Sequence, residues 1–231
     1  MKKLLNMQTD CIIVAAGSGK RLGAKTPKAF VSLCGKPLFV HSLLVFARHR
    51  SIASMILVAP MAMMKKARSI VSGLQIKKEI IIVAGGEHRW QSVKNGVEAA
   101  AGTWVLVHDA ARPFVTHRIV TSVIAASARY DAVIAATPEV DTVRRFIGDR
   151  AMETLDRTAI VRVQTPQIFL RDKLLAAFEL ARSLASPPAD EAMLMEAAGI
   201  PVGIAAGDPL NFKITTKEDL EIAEALCKCR G

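Results

Sequence analysis

Short aliphatic runs alternate along the chain with segments whose apolar positions recur every three or four residues. The runs at 11–16 (CIIVAA), 55–60 (MILVAP), 79–86 (EIIIVAGG), 104–113 (WVLVHDAARP), 132–137 (AVIAAT) and 201–206 (PVGIAA) predict strands, the fourth ending in a loop. The helical spacing appears at 36–49, with Pro37 in its first turn, and in a Met- and Lys-rich stretch after Pro60. It returns at 89–101, 116–130, 170–185 and 190–198, and in a last helix opened by a capping-box pattern at Thr216 and Asp219. Runs rich in Ile, Val and Ala predict strands buried on both faces, as in parallel sheets. The alternation of strand and helix predicts an α/β fold with a doubly wound, mostly parallel sheet.

Residues 139–163 break this rhythm. They hold short polar strand-like pieces around a Gly148-Asp149 turn, too polar for a central parallel strand. The expectation is a projecting β-arm within a single domain spanning 1–231. Burying the exposed edges of such an arm in a partner subunit is one way to manage them. The Ser-Pro-Pro step at 186–188 reads as a loop rather than a linker, and no repeat or low-complexity tract occurs.

With 51% hydrophobic residues and only 5% aromatic ones, the core must be built mainly from small aliphatic side chains. Thirty-one basic against 21 acidic residues leave a charge of +10, which favours polyanionic partners. No nucleic-acid-binding signature accompanies the charge, and few aromatic residues are available for stacking, so no nucleic-acid partner is expected. A small phosphorylated substrate explains part of the excess equally well. The cysteines at 11, 34, 227 and 229 show no zinc spacing, and Cys11 reads as a small core residue. A reduced, cytoplasmic location follows most simply. No apolar stretch has the length of a signal or a membrane span, so no membrane partner is expected.

The unusual sequences follow the predicted strand ends, where ligands bind in doubly wound sheets. In VAAGSGKRLGAKTPK (14–28) the glycines at 17, 19 and 23 fit neither the P-loop nor the dinucleotide fingerprint. Small residues still let backbone N–H groups approach phosphate oxygens, and Arg21 and Lys28 add cations at either end. Asp109, at the end of a buried strand near that loop, is a natural magnesium ligand or a cap for the following turn. Arg112 either pairs with Asp109 or orders the loop, and His108 reads as a packed histidine. His88 sits in GGEHR and lines the pocket without doing chemistry. In GGEHRWQSV (85–93), backbone donors, Arg89 and Ser92 suit a base or ribose, though an ordinary strand-to-helix turn explains it as well.

Together these motifs resemble the 2-C-methyl-D-erythritol 4-phosphate cytidylyltransferase family. The matching pieces include AAGSGKRLG with TPK, LCGKPLFVHSL, GGEHRWQSV, VLVHDAARPFV, Asp141-Thr142, LDR at 155–157, QTPQIF at 164–169, DEA at 190–192 and NFKIT at 211–215. They run in family order over nearly the whole chain. The resemblance implies a Rossmann-like fold, a homodimer with exchanged arms, and a reaction of CTP with 2-C-methyl-D-erythritol 4-phosphate that gives the cytidine diphosphate alcohol and pyrophosphate, in the non-mevalonate route to isoprenoid precursors. It implies that Arg21 and Lys28 stabilise the transition state and that Arg157 and Lys213 position the acceptor phosphate. Asp109 then binds Mg2+. Ala15, Ala16, Gly17, Gly19, Gly86, Arg89, Ser92 and Ala110 surround the nucleotide, and Thr142 and Thr165 contact substrate. The chain departs from the common pattern at Val14, Ala189 and Met193, where many members carry Pro, Thr and Ser. Alternatives are a ribitol 5-phosphate cytidylyltransferase, for which HDAARP is less typical, a UTP- or GTP-using nucleotidyltransferase, and a non-catalytic basic module for nucleic acid.

Overall fold

A computed structural model describes residues 8–17, 19, 26–182 and 186–230. Its main sheet has seven strands: β1 (Thr9–Val14), β4 (Ile52–Ala59), β5 (Ile80–Ala84), β6 (Trp104–Asp109), β7 (Ala132–Pro138), β10 (Val161–Leu170) and β11 (Val202–Ala206). The strand order is β11-β7-β10-β6-β1-β4-β5, and every strand but β10 runs the same way.

The aliphatic runs become two-sided strands because successive side chains enter opposite layers. From β1, Cys11 and Ile13 face a layer with Phe39, Leu43 and Phe46 of α1 (Leu38–Arg48), Ala67 of α2 (Met64–Ser72) and Val120 of α4 (His117–Ala126). Ile12 faces the other layer, with Val93 and Val97 of α3 (Arg89–Ala99), Leu174 of α5 (Arg171–Phe178) and Leu194 of α6 (Glu191–Ala197). The last helix, α7 (Lys217–Arg230), lies apart over a small satellite core containing Leu33, Phe114 and Ile214. The capping box expected before it is formed: the Asp219 amide donates to Thr216 Oγ1 at 3.2 Å and the Thr216 amide to Asp219 Oδ2 at 2.9 Å.

Three expectations are corrected. The helix drawn from 36 begins at Leu38, because Cys34 and Gly35 both take positive φ (47° and 78°) and turn a short hairpin, β2 (Ser32–Leu33) with β3 (Lys36–Pro37). The arm expected to reach 163 has its own hairpin only at β8 (Arg144–Ile147) and β9 (Arg150–Thr154). Residues from Val161 onward instead start β10, an antiparallel strand that inserts between β6 and β7 and was not expected in the sheet. Its polar half and its irregularity between Gln164 and Gln167 hide it from a period-two search. The helix drawn over 170–185 closes as α5 at Phe178, followed by a 3-10 turn at Glu179–Arg182, and 183–185 lie outside the described residues.

β1, β4 and β5 extend the sheet one way from its centre, and β6 begins the other half. The chain therefore leaves β1 and β6 at a topological switch point, where a crevice opens beyond their carboxyl ends.

Candidate active site

A cleft of about 440 Å3 occupies that crevice, lined in part by Ala15, Ala16, Gly17, Gly19, Lys28, Gly86, Arg89, Ser92, Asp109 and Lys213. It gathers loops after β1, β5 and β6 with the segment before α7. Close approach explains two of the glycines. A Cβ on Gly19, whose φ is +66°, would stand 2.5 Å from Lys28 Cβ, and one on Gly85 would stand 2.3 Å from Ala16 Cβ. Glycine thus lets the loop fold back onto Lys28 and lets the two strand-end loops touch. Ser92, in the first turn of α3, accepts a bond from the Gly86 amide at 3.0 Å and pins that loop. Arg21 lies outside the described residues.

Charge is concentrated around Asp109, which is 7% exposed at the end of β6. Its Oδ2 accepts from Lys213 Nζ at 2.6 Å, and its Oδ1 accepts from Arg89 Nε and Nη2 at 3.2 and 3.1 Å. Burial pushes the Asp109 pKa up, but the charges of Arg89 and Lys213 prevail and hold the carboxyl well below the usual carboxylate range. Burial likewise opposes the charged Arg89, and Asp109 with Glu191 outweighs it, raising the guanidinium above its ordinary value. Glu191 itself is shifted upward by its burial, with Arg89 opposing. Both Glu191 oxygens accept from the permanently charged Arg89 Nη1, at 2.7 and 3.0 Å, so we read it as the ionised partner of a pair.

The backbone behind Asp109 is fixed by β10. The Asp109 amide donates to Thr165 Oγ1 at 3.0 Å, and the Thr165 hydroxyl lies 3.1 Å from His108 Nδ1. His108 Nε2 lies 3.1 Å from the Arg112 carbonyl, which assigns it as the protonated nitrogen. His108 is fully buried, sits edge-on to Phe46 at 5.0 Å, and has its pKa pushed down by burial to about 4. It is a packed, neutral histidine. Arg112 is not ion-paired to Asp109; it donates to the carbonyls of Asn211 at 2.8 Å and Val163 at 3.3 Å. It orders the loop that leads to Lys213. Gln164 and Asn211 complete that anchor, with Asn211 Nδ2 donating to the Gln164 side chain at 3.1 Å and to the Thr165 carbonyl at 2.8 Å.

The expected residues therefore fall into groups. Ala15, Ala16, Gly17, Gly19, Gly86, Arg89, Ser92, Lys28, Asp109 and Lys213 share the cleft, as does His88. Ala110 and Thr165 are buried immediately behind it, at 1% and 4% exposure. Thr142 and Arg157 are carried by the arm and are not part of the cleft lining; Arg157 Nη1 donates to the Val140 carbonyl at 2.8 Å. Glu191 stands in the DEA motif at 190–192, where the sequence alone gives it no distinct role. An acidic residue in the first turn of a helix has an ordinary explanation in the helix dipole, which masked it.

Among the described residues, no group of three or more His, Cys, Asp and Glu side chains is placed to hold a metal by itself. The donor set fits magnesium of another kind, bound through one or two carboxylates and completed by substrate phosphates. Asp109, held ionised and lining the cleft, could serve as such a donor, with Glu87 the other carboxylate of the lining. Among the described residues no helix is long and apolar enough to cross a membrane.

A family model described as 2-C-methyl-D-erythritol 4-phosphate cytidylyltransferase (IspD) matches residues 10–228. The chain is 38% identical over 225 residues to the enzyme of that name from Geobacillus kaustophilus, covering 97% of this chain and 99% of the relative. It is 39% identical over 224 residues to the one from Alkaliphilus metalliredigens, covering 95% and 92%. The crystal structure of the Thermus thermophilus cytidylyltransferase superposes with a TM-score of 0.78 at 33% identity, over 96% of this chain and 100% of that one. The 4-diphosphocytidyl-2C-methyl-D-erythritol synthase of Anaerococcus prevotii gives 0.84 at 28% identity, over 96% and 99%. This chain belongs to the 2-C-methyl-D-erythritol 4-phosphate cytidylyltransferase family.

Proposed function

We propose that the strand-end cleft transfers the cytidylyl group of CTP to the phosphate of 2-C-methyl-D-erythritol 4-phosphate. The products are 4-CDP-2-C-methyl-D-erythritol and pyrophosphate, within non-mevalonate isoprenoid precursor synthesis. The observation that carries this reading is the meeting of Lys28, Arg89, Lys213 and an ionised Asp109 against small-residue loops at the switch point.

In the transfer, an oxygen of the acceptor phosphate bonds to the α-phosphorus of CTP. The bond from that phosphorus to the bridging oxygen breaks, and pyrophosphate leaves with the electron pair. Two polyanions must be brought together, so positioning and charge neutralisation supply most of the rate. Lys28, with Arg21, neutralises charge on the α-phosphate and the leaving group. Backbone around Ala15, Ala16, Gly17, Gly19 and Gly86 admits the nucleotide closely, with Ser92 holding the Gly86 loop and Ala110 backing the cleft. Asp109 is the carboxylate that would hold Mg2+, which when bound would supply positive charge to the substrate phosphates. Lys213 engages the acceptor phosphate. Thr165 acts from behind, through its bond to the Asp109 amide.

Arg157 and Thr142 stand on the arm, and we assign them to the acceptor side of a partner subunit's cleft in a homodimer. The fully exposed pattern of β8 and β9 supports an arm that packs on another chain. All four cysteines are free thiols, which suits the reducing cytoplasm.

Pyrophosphate release with CTP and magnesium tests the reading. Turnover is expected with methylerythritol phosphate and not with ribitol 5-phosphate, and with CTP rather than UTP, GTP or ATP. Turnover with ribitol 5-phosphate alone would keep the chemistry and overturn the acceptor.

A further inference from the structure

We propose that Glu191 is a positioning residue for the transfer: from behind the cleft it holds Arg89 on one oxygen of Asp109 and takes up part of that guanidinium's charge. Asp109 thereby stays able to accept a divalent cation together with the nucleotide. The proposal rests on the reading of Asp109 as the metal-binding carboxylate.

Glu191 is fully buried and is not part of the cleft lining, so it touches no substrate. Its place is rigid. It follows the N-cap Asp190, whose Oδ1 accepts from the Met193 amide at 3.1 Å and whose Oδ2 accepts from Gln167 Nε2 at 2.8 Å. Leu194 and Met195 of the same helix are in the core at 0% exposure. Burying a carboxylate is costly unless it is well paired, and here it pairs with Arg89 at 2.7 Å. That guanidinium is gripped on two edges: Nη1 by both oxygens of Glu191, Nε and Nη2 by Oδ1 of Asp109. Oδ2 is held instead by Lys213, whose side chain is 36% exposed against 27% for Arg89. The tethered cation and the more accessible one thus divide the two oxygens of Asp109 between them.

The charges of Asp109 and Glu191 balance those of Arg89 and Lys213. Neutralising Glu191 leaves the cluster net positive and frees Arg89 to spend its whole charge on Asp109. A divalent cation is then disfavoured, whereas a bare polyanionic nucleotide is not. A merely structural ion pair would weaken both forms together, so opposite responses distinguish the two roles.

Calorimetric titration of CTP without acceptor, in magnesium and in chelator, provides the test. In Asp109→Asn the magnesium-dependent gain in affinity should vanish. In Glu191→Gln it should fall about tenfold, the scale of removing one unit charge a bridging side chain away. Metal-free CTP should bind Glu191→Gln as tightly as wild type or tighter. In an Arg89→Met background, adding Glu191→Gln should change the gain no further. Where Glu191→Gln does not fold, Arg89→Met/Glu191→Met removes the buried pair together and is compared with Arg89→Met in the same way. A wild-type gain in Glu191→Gln, parallel loss with and without magnesium, or further loss in the double variant would overturn the proposal. A gain preserved in Asp109→Asn would instead remove the metal assignment, and this proposal with it.

Discussion

In the cleft, side chains from α3, β6, α6 and the segment before α7 are locked to one another at 2.6 to 3.2 Å, and the backbone behind them is tied into the central sheet. In the hairpin of β8 and β9 every residue is exposed, Phe146 at 72% and Ile147 at 69%. Its ion pair between Arg145 and Glu153 spans 3.6 Å with both side chains more than half exposed, so it adds little. The first region is organised within one chain. The second presents exposed apolar side chains that pack on no core of its own chain, as a surface offered to a partner would. Under the proposed reading, the cleft holds the nucleotide and Lys213 meets the acceptor there, while Arg157 and Thr142 of the arm would add to the acceptor side of a partner's cleft.

The largest expected effects come from breaking the cleft. Asp109→Asn and Lys28→Ala should each lower turnover by about 10²–10³, the usual cost of losing one preorganised charge-stabilising group. Circular dichroism should show the fold intact. Near-normal turnover in either would remove that residue from the mechanism.

Acid should loosen the cleft's support before it reaches the hairpin. Burial holds His108 and His49 neutral, each with its pKa lowered from 6.5 to about 4. As pH falls below about 6.5 the unfolded chain takes up protons first, so this stability is full above 6.5 and is lost down to about 4. Glu191, shifted upward by burial, contributes in the opposite sense, and Asp109, held low, loses its contribution only in stronger acid. The fully buried His108 accounts for up to ~3 kcal/mol of the loss. Urea midpoints at pH 7 and pH 4.5, with the histidine rings followed by NMR, check this. Rings that titrate near 6.5 would contradict it.

A smaller effect sharpens the nucleotide side. Gly19→Ala places a Cβ against Lys28 and strains a left-handed position, so KM for CTP should rise about tenfold with little change in Tm. The smallest concerns the hairpin: Phe146→Ser should alter the stability of the isolated chain by less than about 0.5 kcal/mol. Self-association, measured by sedimentation, should weaken.

The α/β layering was legible because two-sided aliphatic strands and amphipathic helices have distinct periods, and the strand-end motifs placed the cleft. β10 was not, since its polar first half reads as part of the projecting arm and the irregularity at Gln164 to Gln167 breaks its alternation. The charge cluster was legible only in pieces. Asp109, Arg89 and Lys213 each stood in a motif, but their mutual contacts join residues 20 and 104 positions apart. Glu191, 102 positions from Arg89, belongs to the same network through tertiary contact alone. Thr142 and Arg157 were legible as motif residues, yet neither lines this chain's cleft.

The division between cleft and arm is tested most directly by mixing two inactive variants, Lys28→Ala and Arg157→Ala, and assaying turnover once subunits have exchanged. If Arg157 serves the partner's cleft, each hybrid dimer holds one site with both residues intact. About a quarter of wild-type activity should then return from an equal mixture. With hybrids shown to form, a mixture that stays inactive would contradict the account.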